Sequence, residues 1–252
     1  MYINDINIIY YVLIGIFGLI VGQFIDWCNQ RLPEYKKVFS KEFFTIYLKN
    51  FKINYLLCIT TAVIYIALLY FIGWQSNILY KIKLIKYIVL APMLLSALVI
   101  DWKLQIIPNR LNLTMFEIGL ISAFAEGICD VQIGINMLLG AVVGAGIFLL
   151  ITVIGGIIAG KEAMGFGDVK LMGALGLFFG WKNIIIISLM SFLLGAIISI
   201  ILLITKKKKT DEYIPFGPFI VIATFIMMIV PFNILIYVLF KIFTLGMSKI
   251  KI

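Results

Sequence analysis

The chain contains no histidine. That removes the side chain most often used as a general base, as the relay of a nucleophilic triad and as a zinc ligand. Cysteine is scarce as well. Cys28, Cys58 and Cys129 stand far apart, no CxxC occurs, and no cluster offers the four ligands of a structural zinc or implies a disulfide framework. Charge is the third shortage. Only 13% of the 252 residues are Asp, Glu, Lys or Arg, about half the share of an ordinary soluble domain. By contrast, 63% are hydrophobic and the mean hydropathy is +1.13. A soluble core of this length could not hide that much apolar surface, so the composition belongs to a polytopic membrane protein.

The net charge of +9 invites a nucleic-acid partner. The Lys and Arg are instead spread over the connections between apolar spans, where charge sets membrane topology, and nucleic-acid binding is excluded on that pattern. The first apolar run, residues 6–25, has no basic flank before it and is long enough to span, so a cleavable signal peptide is not expected. Residues 27–54 form a basic segment with Arg31, Lys36, Lys37, Lys41, Lys49 and Lys52; within it, FSKEFFTIYLKNF interleaves aromatics with charges as an interfacial amphipathic helix would. Further spans are expected at 55–73, 86–100, 113–129, 133–159, 183–205 and 216–243. The third contains Pro92, and the fourth is interrupted by Glu117 and Glu126, either inward-facing polar contacts or interfacial residues. In the fifth, Gly140, Ala141, Gly144 and Ala145 give small-residue faces for close helix contact. Residues 169–180 make a helix of about 18 Å, too short to span upright. The expected fold is therefore all-α and polytopic, with about eight membrane segments in one membrane-embedded domain over 1–252.

One side of this threading receives the loop after the first span, residues 101–112, the turn from Gly160 to Lys170 and the run Lys206–Lys209. It carries twice as many Lys and Arg as the other side. The positive-inside rule makes it cytoplasmic and puts both termini outside, with Lys206–Lys209 as a topology anchor beside anionic headgroups.

Against this background one stretch stands out: GKEAMGFGDVKLMGALGLFFG, residues 160–180. It sets Asp168 between a glycine-rich turn and a small-residue apolar helix. A carboxylate at the edge of hydrocarbon is expensive and is a functional hypothesis by default, with a partner to be found. The partner is Asp101, which closes the span in ALVIDWKLQIIPNRLN and falls on the same face at a similar depth. Two carboxyls held close share a proton. One can then act as base on a water while the protonated one donates to a carbonyl oxygen, which hydrolyses a peptide bond without Ser, Cys, His or metal. Gly165 and Gly167, bracketing Phe166, permit close substrate approach. Asp26 and Asp130 read as boundary residues in water, and Gly173, Gly176 and Gly180 as packing residues.

The long motif, with VIDWKLQIIPNRLN upstream, IPFGPFIV downstream and GQFIDWCNQRLPE near the first span, resembles the type IV prepilin peptidase family of GxGD membrane aspartic proteases. The resemblance implies that Asp101 and Asp168 are the catalytic pair and that Gly165, Phe166 and Gly167 shape the site. It implies as substrates type IV prepilins or pseudopilins, cut at the cytoplasmic face of the bacterial inner membrane after the glycine of a short basic leader. Many members of that family also methylate the new N-terminus with S-adenosylmethionine. This chain lacks the paired CxxC motifs that many bifunctional members carry after the first span, which argues against zinc and weakens the case for methyl transfer. It also has Asn109 where the family often has Asp. Two rivals fit less well. A transporter using the aspartates as an ion or proton relay would show discontinuous spans in two matching halves, and no internal repeat is seen. The presenilin and signal-peptide-peptidase group shows Tyr-Asp and Pro-Ala-Leu motifs, where this chain has Ile-Asp and Pro-Phe-Gly-Pro.

Overall fold

Amide and carboxylate side chains mark where several helices begin. A computed structural model of the chain describes residues 2–4, 6–38, 40–47, 52–160, 164–205 and 214–243. After two paired two-residue strands, β1 (Tyr2–Ile3) and β2 (Ile6–Asn7), the Asn7 side chain accepts from the Ile9 N–H at 3.1 Å and opens α1 (Ile8–Arg31). Asn54 accepts from Leu57 N–H to open α2 (Tyr55–Ile72), and Asn77 from Leu79 N–H to open α3 (Ile78–Leu104). Such caps satisfy donors that the first helical turn leaves unpaired. Pro108 precedes α4 (Asn109–Cys129), and Asp130 both ends it and caps α5 (Val131–Ala159) through the Gln132 N–H at 2.9 Å. Asp130 is thus a helix cap as well as a boundary residue. Three more helices follow: α6 (Phe166–Ile204), α7 (Gly217–Ile229) and α8 (Phe232–Phe243).

Six of these helices, α1 to α6, are long and apolar enough to cross a membrane. Large apolar side chains face outward along them, with Leu56, Ile128 and Ile158 each more than two-thirds exposed. Outward apolar surface on this scale needs lipid to cover it. The fold is an all-α polytopic membrane protein, but the expected eight segments are not eight long spans. The last expected span breaks at Pro231 into α7 and α8, of 13 and 12 residues, because proline has no N–H to continue the helical ladder. The short helix and the span after it run together as α6, bent at Gly180, whose φ of 76° and ψ of 169° are not helical.

That bend reverses the chain. A Cβ on Gly144 of α5 would meet both the Met172 carbonyl at 2.5 Å and Ile184 at 3.0 Å, one residue before the bend and one after it. Nearer the start of α5, Gly140 abuts Gly176 and Gly180; nearer its end, Phe148 stacks on Phe192 at 5.3 Å. The two limbs of α6 therefore lie antiparallel along the same helix. Glycine permits both features: the positive φ at Gly180 and the backbone contact between Gly140 and Gly176. The expected packing role of Gly140, Gly144 and Gly176 is what the structure has.

Among the described residues of the basic segment, Phe43–Tyr47 form a π-helical turn; residues 39 and 48–51 of the expected interfacial helix lie outside them. The chain turns back at Tyr35, which has a positive φ of 56°, and Phe43 and Tyr47 pack on the Trp27 ring at 5.6 and 5.1 Å. Asp26 accepts from Asn54 Nδ2, Tyr47 Oη and Gln30 Nε2 at 2.8, 3.2 and 3.0 Å. It is the centre of a polar network joining α1 to α2, which corrects its reading as a boundary residue in water. Burial, and after it the Asp26 carboxylate, pushes the Tyr47 hydroxyl up to about 12, so it remains a donor. The run Lys206–Lys209 and the turn residues 161–163 lie outside the described residues.

Candidate active site at the α3 and α6 ends

Asp101 lies in the last turn of α3, which Gln105 closes in a left-handed conformation, its N–H donating to the Asp101 carbonyl at 2.9 Å. Asp168 lies in the first turn of α6, three residues after the extended Gly165. An acidic side chain there faces the positive end of the helix dipole and the unpaired amides of the first turn. Both aspartates are 4% exposed. They come from different helices, yet Asp168 is close enough to Asp101 for their charges to interact.

Several contacts bring the two helix ends together. The Ile107 side chain stands 3.2 Å from where a Cβ on Gly167 would lie, and its far end lies 3.2 Å from the corresponding point on Gly217. Asn112 Nδ2 donates to the Gly167 carbonyl at 3.0 Å, and Lys170 Nζ donates to Asn109 Oδ1 at 2.8 Å. The start of α4 thus clamps the glycine turn of α6. Asn109, where the resembled family often has an acid, keeps a role as the acceptor for Lys170. Arg110 reaches the Lys36 carbonyl at 3.3 Å and lies over the Tyr35 ring, so the segment after α1 packs on this same end.

Gly217 is the residue the sequence reading overlooked. It starts α7, and a Cβ there would fall 2.5 Å from Asp101 Oδ2, closer than any real contact. Its signal was present in the PFGP motif, quoted only as a marker. Asp101 Oδ2 is buried, and the Gly217 backbone N–H faces the carboxyl. Of the glycine-turn residues, Gly165 and Gly167 are half-buried, whereas Phe166 is 59% exposed and points away from the protein interior.

Residues 88–200 match the model of the type IV leader peptidase family, a stretch that holds both aspartates and the glycine turn before Asp168. The match covers 113 of the 252 residues, less than half of the chain. Curated relatives named prepilin leader peptidase/N-methyltransferase agree. The Legionella pneumophila protein is 35% identical over 135 residues, 54% of this chain and 46% of its own length. The Xanthomonas campestris protein is 34% identical over 151 residues, covering 60% and 49%. The Escherichia coli protein is 31% identical over 135 residues, covering 52% and 57%. The chain spans about half the length of the curated relatives it matches, and no solved structure matches it.

Among the described residues no three His, Cys, Asp or Glu side chains gather as metal ligands. Cys28 is half-buried, Cys58 buried and Cys129 exposed, on α1, α2 and α4 respectively. A cavity of about 210 Å³ opens between α1, α2 and the end of α3, lined in part by Asp26, Asn29, Asn54 and Lys103.

The two acids left open in α4 now separate. Glu117 is exposed. Glu126 is buried and pairs with Lys86 at 2.6 Å. The span expected to begin at residue 86 is longer: α3 begins at Ile78, two turns earlier, and carries Lys86 into the bundle.

Proposed function

We propose that the protein is an aspartic endopeptidase that removes the leader peptide from type IV prepilins or pseudopilins, with Asp101 and Asp168 as the catalytic pair. The observation that carries this reading is the pairing of two buried carboxyls, from separate helices, at one end of an apolar bundle. In the resting pair one carboxyl is ionised and the other protonated, because like charges at short range do not both ionise readily. The ionised aspartate takes a proton from a water as its oxygen adds to the scissile carbonyl carbon. The protonated one donates to the carbonyl oxygen, which becomes a hydroxyl of the tetrahedral intermediate. Collapse breaks the C–N bond as a proton passes to the leaving nitrogen, giving a leader carboxylate and a new N-terminal amine. Gly165 and Gly167 leave room for the substrate backbone beside Asp168.

The charge asymmetry of the connections supports a site facing the cytoplasm of a bacterial inner membrane, with both termini outside. The printed name of the relatives includes N-methyltransferase, so methyl transfer from S-adenosylmethionine to the new amine is a second activity to test beside proteolysis. Residues 27–54 act in it as a basic cytoplasmic segment of one membrane-embedded domain.

Co-expression with a prepilin, read by gel shift, tests the proposal. Asp101→Asn and Asp168→Asn are each expected to lower cleavage at least ~10³-fold, with the double substitution costing little more, since the two act as a unit. Full processing by either single variant would remove the pair from the mechanism. Incubation with labelled S-adenosylmethionine, read as label on the cleaved pilin, separates a peptidase from a bifunctional enzyme.

A further inference from the structure

The opposite end of the bundle holds a charged pair that peptide hydrolysis does not use. Lys86 and Glu126 are each 6% exposed, and their charged groups are 2.6 Å apart. Lys86 Nζ also donates to the Phe178 carbonyl at 2.8 Å. These residues belong to three helices: Lys86 to α3, Glu126 to α4, and Phe178 to the first limb of α6, just before the Gly180 bend. The ammonium thus sits at the C-terminal end of that limb, where carbonyls are unpaired and the helix dipole is negative. Beside it Tyr87 stacks on Phe179 at 5.2 Å.

The same three helices meet again at the aspartates. Asp101 stands about four turns along α3 from Lys86, and Asn112 about four turns back along α4 from Glu126, each on nearly the same face of its helix. Asp168 is at the start of the limb whose end Lys86 holds. α3 packs mainly against α1, α2, α4 and α7, while α6 packs against α4, α5 and α7. α3 and α6 thus share little direct packing and meet through α4, α7 and the polar ties at the two ends.

We propose that Lys86 and Glu126 are positioning residues for the aspartate pair: they pin the far ends of α3, α4 and the first limb of α6, and so set the register in which Asp101 meets Asp168. The inference rests on the catalytic reading above. A slip of one residue along a helix moves a side chain by about 1.5 Å, and misplacement by ~1 Å costs about 100-fold in rate. Removing one partner leaves the other charge buried and uncompensated, which favours such a slip.

Two readouts test this on the full chain. In prepilin cleavage, Lys86→Met is expected to lower kcat per folded enzyme ~10-fold or more with KM within about 2-fold, and Lys86→Arg to restore most of it. Independently of activity, Asp101→Cys with Asp168→Cys, in a chain whose native cysteines are replaced by serine, is treated with a short bis-maleimide. Lys86→Met is expected to reduce the cross-linked fraction several-fold. If Lys86→Met does not accumulate folded, Glu126→Gln, which keeps the shape and loses the charge, takes its place in both. A cross-linked fraction unchanged by loss of the pair overturns the proposal, whatever happens to kcat. Failure of the unaltered chain to cleave any prepilin would overturn the catalytic reading alone, and the cross-link would still decide the register.

Discussion

Asp101 owes its surroundings to a residue that has no side chain. Gly217 brings the start of α7 against the carboxyl, and any larger residue would put its Cβ 2.5 Å from Oδ2. Gly217→Ala is therefore expected to leave the fold in place and displace the carboxyl, lowering kcat for prepilin cleavage by about 100-fold. Purified variant and parent compared at saturating substrate would check it; a kcat within 2-fold would mean that α7 yields at no cost. Sequence alone supported Asp101 and Asp168, because a carboxylate bordering an apolar run has few bland explanations when it recurs beside a glycine turn. Ile107, Asn112 and Gly217 were not legible in the same way. An isoleucine, an asparagine and a glycine carry no charge anomaly, and their roles come from what they touch.

At the level of helices, the consequential features are close approach and reversal. The backbones of α5 and α6 touch at Gly140 and Gly176. Gly176→Val would force its side chain into the Gly140 carbonyl, a case of overpacking that costs about 1–3 kcal/mol. The expected outcome is a lower midpoint of thermal unfolding in detergent; an unchanged midpoint would show that the two helices can separate freely. The small-residue spacing of α5 was visible in the sequence, since residues four apart share a helix face. The partner face was visible too, as Gly173, Gly176 and Gly180. What composition could not reveal was that Gly180 turns α6 back along α5 while keeping both limbs apolar. The split of the last span was legible only in hindsight: Pro231 ends a helix, but a proline inside α3, Pro92, does not.

Across the whole molecule, the glycine turn, the α3–α4 connection, the segment after α1 and the start of α7 collect at one end of the bundle. The α4–α5 connection lies at the other, near the Lys86–Glu126 pair. If the first end is cytoplasmic, Cys129, exposed at the end of α4, faces outward from the cell. A membrane-impermeant maleimide applied to intact cells is expected to label the parent chain but not a Cys129→Ser variant. Labelling that requires cell lysis would invert the proposed topology. The membrane class and the positions of most spans were legible in the sequence itself, and the two acids stood out there, because burying charge in hydrocarbon is costly enough to leave a local mark wherever it occurs. The meeting of Asp101 with Asp168, the capture of Lys86 by Glu126 and the reversal at Gly180 were decided only by the tertiary structure. Each depends on which helix stands beside which, and helix-to-helix contact in lipid is set by shape and hydrogen bonding across distant segments, for which hydropathy holds no signal.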